Sequence, residues 1–187
     1  MVLPNNVLLA RSRLSMLKRR LEKDDVLHSA YTKSVQDYID KGFARRVTPE
    51  EAMDQAAWYI PHHAVINPNK LEKARVVFDR AVKHKDVSLN DNLLHGPDVV
   101  NSLISVFIRF RPDPVAVLAD VKAMFHQVLV TECEQKYLRF LWWKNGDLSS
   151  QPQKYCITRH IFGATSFLRC ASYEGSSNEF CPLMVPV

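Results

Sequence analysis

The chain has 187 residues, 47% apolar and 24% charged, a balance that suits one ordinary globular domain or two small units sharing a core. Four scattered cysteines, Cys133, Cys156, Cys170 and Cys181, form no Cys-x-x-Cys pair and so signal neither a zinc knuckle nor a disulfide framework, while the longest apolar run, 103–108, is too short to span a bilayer. The formal charge of +5 comes from residues 1–46, which hold ten Lys/Arg against five Asp/Glu, whereas 47–187 hold fifteen of each; an excess placed this way suits contact with a polyanion such as nucleic acid, or a solvated helical face.

The expected setting is intracellular, with no membrane contact, since the N-terminus carries no signal-peptide pattern. After Pro4 and the possible caps Asn5 and Asn6, Leu14, Leu17 and Leu21 recur at helical spacing, with Arg11, Arg13, Lys18, Arg19 and Arg20 between them: a basic amphipathic helix. A second helix is expected from Asp24 or Asp25, with Leu27, Tyr31, Val35 and Tyr38 on one stripe and Gly42 ending it. Thr48-Pro49-Glu50-Glu51 reads as a capping box opening a third, short helix, so the first sixty residues are expected to be helical.

At Trp58 the pattern changes. Trp58-Tyr59-Ile60, Ala64-Val65-Ile66 and Arg75-Val76-Val77-Phe78-Asp79, with a turn at Asn67-Pro68-Asn69, predict an irregular β-hairpin. Pro97 opens an expected helix with the stripe Val100, Leu103, Phe107 and Phe110. Val115 to Ala119 is an apolar run of strand length ending in Asp120, the pattern of a buried strand with a carboxylate at its end. Tyr137 to Trp143, the Asn145-Gly146 turn and Tyr155 to Thr158 predict a final hairpin.

Neighbouring His62 and His63 point to opposite faces of an extended strand, which argues against a shared metal ion. Cys156 and His160 lack the further ligands of a zinc site. For Trp142 and Trp143, strand alternation predicts one ring buried and one exposed.

The run from Val115 through Asp120 to Val128, with Met124-Phe125-His126-Gln127 inside it, closely resembles the first carboxylate motif of the BEL/Pao-type retrotransposon reverse transcriptases. Trp58 to Pro68, Lys73 to Asp79, Ser88 to Asp91, Gly96 to Asp98, Arg139 to Trp143 and His160 to Ser166 resemble the same family in the same order, so the resemblance covers roughly residues 3–166. It implies an RNA-directed DNA polymerase acting on an RNA or DNA template-primer and dNTPs with Mg²⁺. Asp120 matches the first catalytic aspartate, a metal ligand. Phe125 matches the aromatic gate beneath the incoming sugar, and Lys73 and Arg75 match basic residues that contact the triphosphate. Phe162 and Gly163 match the segment packing under template and nucleotide.

After Ser166 the likeness fades. Phe167 and Leu168 stand where the family has Ser-Pro, Arg169-Cys170-Ala171 keeps a trace, and 172–187 resembles nothing in the family; a frameshift, aberrant splice or truncation would produce this. No aspartate follows Asp147, so the Tyr-x-Asp-Asp pair is absent and a polymerase of these residues alone is expected to be inactive. The expected fold class is α+β: a basic helical segment over 1–57, a truncated fingers/palm domain with an antiparallel sheet over 58–171, and a divergent tail over 172–187. Two other functions fit the residues: a nonspecific basic nucleic-acid-binding module, or a remnant without a stable product.

Overall fold

Asn6 does not close the first helix with its side chain. In the computed structural model, which describes residues 3–67, 70–93, 102–110, 115 and 122–161, α1 runs Val7–Leu21 with Asn6 at the N-cap position. Asn5 Oδ1 accepts the Val7 N–H at 3.0 Å, while Asn6, fully buried, donates through Nδ2 to Tyr59 O at 2.8 Å and accepts the Tyr59 N–H at 2.7 Å. The expected cap has become a clamp on a distant backbone segment. Ala10, Leu14, Leu17 and Leu21 are the buried side of α1.

Helix α2, Asp25–Asp40, starts and stops by the expected chemistry. Asp24 accepts the Leu27 N–H at 2.9 Å. At the other end Gly42 takes φ +69, its N–H donates to Ile39 O and the Phe43 N–H donates to Tyr38 O, the double bond of a Schellman ending. The Tyr38 and Phe43 rings, 6.1 Å apart and edge to face, supply its apolar contact.

The first sixty residues are not all helical. Ala44–Arg46 form a short strand, β1, and the capping box at Thr48 opens only a 3-10 turn, Glu51–Met53. The box itself forms, with Thr48 N–H on Glu51 Oε2 (2.9 Å) and Glu51 N–H on Thr48 Oγ1 (3.3 Å). Asp54 then turns the chain out of the helix by accepting the Ala56 N–H.

The first hairpin pairs β2, His62–Asn67, with β3, Lys70–Phe78, antiparallel, with a register irregularity between Ile66 and Asn67. Trp58 to Ile60 do not join it. They run beside β4, Arg139–Trp142, where the Ile60 N–H donates to Arg139 O and the Arg139 N–H donates to Trp58 O. Strand β4 pairs with β5, Gln153–Ile157, and β5 with β1, giving a three-stranded antiparallel sheet in the order β1-β5-β4. Asn145 (φ 54) and Gly146 (φ 74) take the left-handed conformation expected of Asn-Gly, but inside a long connection instead of a two-residue turn.

Helix α3, Leu103–Phe110, is present, yet Phe107 and Phe110 of its expected buried stripe are exposed, as are Ile104 and Ile108. Val115 is exposed too; the rest of the expected strand, with Asp120, lies outside the described residues. Both Trp142 and Trp143 are buried, against the alternation rule: β4 ends at Trp142, so alternation does not govern Trp143, which packs edge-on against Trp142. The described residues thus form an α+β fold in which one apolar core, from Leu3 to Ile161, joins α1 and α2 to both sheets. Among them no helix is long and apolar enough to cross a membrane.

Candidate nucleic-acid interface

The basic residues of α1 do not form a single stripe. Arg11 and Lys18 are two turns apart on one flank of the buried side, Arg13 and Arg20 two turns apart on the other, and Arg19 points outward. Lys18 lies 3.7 Å from Glu22, one turn on, an exposed pair of small energetic worth. Arg20 reaches the hairpin, its Nη1 donating to Ala64 O at 3.2 Å. That carbonyl is on the open edge of β2, so Arg20 both covers a strand edge and is fixed there.

Register decides which hairpin side chains share a face. His62 opposes Phe78, Ala64 opposes Val76 and Ile66 opposes Ala74; these face inward, toward α2 and the core. The intervening pairs, His63 with Val77 and Val65 with Arg75, face solvent, and Lys73, two residues before Arg75, is exposed with them. Lys73 and Arg75 therefore stand on the outer face of a β-hairpin.

Between the Arg13/Arg20 flank of α1 and this hairpin lies an open cleft of about 340 Å³, lined by Arg13, Met16, Leu17, Arg20, Pro61, His62, His63 and Asp79. Asp79 spends Oδ1 on the Ala81 N–H at 3.1 Å and pairs with neither arginine. No described residue accepts a hydrogen bond from the Arg13 side chain. Arg13 and Arg20 are thus the cations of the cleft, and Lys73 and Arg75 those of the outer hairpin face, where Val65 and Val77 are exposed apolar contacts.

His62 is the cleft's inner wall. Its Nε2–H donates to Leu141 O at 2.8 Å, which leaves Nδ1 to accept the Tyr31 hydroxyl at 2.6 Å. Both ring nitrogens are used, so His62 is structural, in keeping with the sequence reading. His63, its neighbour, is exposed on the other face. A second network joins the three-stranded sheet to the 3-10 turn: Arg45 grips Glu51 with two bonds of 2.8 and 2.6 Å, and Arg139 donates to Glu51 O at 2.7 Å. The Arg45 bond holds the Glu51 carboxyl down at about 2. Sequence reasoning missed the Asn6–Tyr59 clamp and the Arg45–Glu51 pair; Asn6 and Glu51 were visible only as capping residues.

Phe125 lies half-buried in the 3-10 turn Met124–Gln127, which docks through His126 stacked on Phe43 at 4.5 Å. Asp120, Phe162 and Gly163 lie outside the described residues. Magnesium takes six oxygen ligands, and Asp79 by itself is no site for it. Compared with models of known protein families the chain matches none, and it matches no curated protein.

Proposed function

We propose that the chain comprises the fingers and part of the palm of a BEL/Pao-type reverse transcriptase, and that these residues by themselves bind nucleic-acid backbone without extending a primer. The observation that supports this best is that Lys73 and Arg75 share the outer face of the hairpin, while Arg13 and Arg20 line the cleft between that hairpin and α1. Guanidinium groups on a fixed edge pair phosphate oxygens two at a time, and such contacts position a strand without reading its sequence. The exposed valines between them add apolar contact for sugars.

Polymerisation needs more than this surface supplies. Two-metal phosphoryl transfer requires several carboxylates aimed together, and in these residues Asp120 has no Tyr-x-Asp-Asp partner. Glu174 and Glu179, the acids that follow Asp147, stand in a Gly/Ser-containing stretch with no strand-turn-strand pattern.

Binding is tested by fluorescence anisotropy of labelled single-stranded RNA and DNA over a salt series. Affinity should fall steeply with salt, equally for all sequences, and Lys73→Gln with Arg75→Gln should flatten the logarithmic slope by about 1.4, roughly 0.7 per phosphate contact on a single strand. Primer extension on poly(rA) should yield no product. Product that vanishes in Asp120→Ala would refute the inactive reading, and an unaltered salt slope in the double variant would refute the assigned surface.

A further inference from the structure

We propose that the cleft between α1 and the hairpin is a discrete site for a phosphate monoester carried on a nucleotide, either free or at a strand's 5′ end. The inference rests on the nucleic-acid reading above and narrows it from a charged surface to one pocket. Its volume of about 340 Å³ is of mononucleotide size, within the range of small-ligand sites. Arg13 and Arg20, seven residues apart, rise about 10 Å along one flank of α1, a gap that two long side chains can close on a single ligand.

Their states differ in a way that suits binding. Arg20 is already oriented by Ala64 O, which uses one of its donors and leaves the others, whereas Arg13 has no acceptor among the described residues. Two guanidiniums against the one carboxylate of Asp79 leave a positive cleft. A monoester has close to two negative charges and three terminal oxygens at neutral pH, enough to accept from both arginines, while an internal diester has one charge and two such oxygens. Met16 and Pro61 line the same cleft and offer an aliphatic surface to a sugar or base.

The test compares decathymidylate with a 5′-phosphate or a 5′-hydroxyl, by anisotropy, in the full chain and two variants with equal charge loss. Arg13→Gln removes one of the two cleft cations, and Arg19→Gln removes one on the outward side of α1. The phosphorylated strand should bind about tenfold more tightly, as a charge-assisted hydrogen-bond pair warrants. Arg13→Gln should erase that difference, and Arg19→Gln should preserve it while lowering both affinities alike. Thymidine 5′-monophosphate assigns the source: competition against the phosphorylated end alone marks a strand-end site, and amide shifts at Arg13 and His63 without end discrimination mark a site for free nucleotide. Equal affinity for both ends with no response to the monophosphate overturns the pocket while leaving the surface reading intact. Loss of all oligonucleotide binding at low salt would overturn both.

Discussion

Burial lowers the His62 pKa to about 4; the Leu141 carbonyl opposes that shift and the charge of His63 adds to it. An unfolded chain protonates the same ring near 6.5. Between those values the unfolded state takes up a proton that the folded state refuses, so this contribution is fully present above about pH 6.5 and is lost as pH falls toward 4, by about 3 kcal/mol. His126, shifted down by burial and then by Lys41, acts in the same direction. Urea unfolding at pH 7.5 and 4.5 checks this: His62→Gln should lower stability at pH 7.5 and shrink the difference between the two conditions. An undiminished difference would move the effect elsewhere. At the same scale, Asn6→Ala strands the N–H and carbonyl of buried Tyr59 and should cost about 3 kcal/mol, measured in the same melts.

Among the elements, the Asn145-Gly146 turn is packed against α2 as well as bent. A Cβ at Gly146 would fall 2.4 Å from Thr32 Oγ1, and the Gly146 carbonyl accepts from His28 Nε2 at 2.8 Å. Gly146→Ala should therefore cost about 2 kcal/mol or more, from left-handed strain plus displacement of Thr32, whereas Gly42→Ala, with open space around it, should cost only the backbone strain, about 1 kcal/mol. Thermal melts of the two variants compare them, and equal losses would contradict the packing argument. The helices were legible because their signals are local: the leucine spacing of α1, the Asp24 cap and the Gly42 ending all act within a few residues. Strand β1 was not, because Ala44-Arg45-Arg46 has no strand signal of its own and becomes a strand only by lying against β5. The basic character of α1 was legible from its leucine spacing, and its division into two flanks depends on which neighbour takes the helix's apolar side.

At the level of the whole molecule, the described residues before and after Trp58, distinct in pattern, pack into one core. Leu14 and Leu21 share one core with Trp58, Phe140 and Ile157, β1 belongs to the β5–β4 sheet, and Asn6 is tied to Tyr59. Unfolding should accordingly be a single transition, with helix loss by far-UV circular dichroism coinciding with the change in fluorescence of Trp58, Trp142 and Trp143. Two separated midpoints would show that the helical front folds alone. The candidate surface depends on this union, since its cations come from α1 on one side and β3 on the other.

Ala44 finds its partner only at Ile157, and that distance along the chain has a meaning during synthesis. A ribosome adding about 5–20 residues per second needs on the order of ten seconds to deliver β5 after β1 has emerged. Throughout that interval α1 and α2 have the β2–β3 hairpin to lie against but not the β1-β5-β4 sheet. Apolar side chains that will pack on the β1-β5-β4 sheet are exposed until then, which is the condition under which an unfinished chain recruits chaperones or proteases.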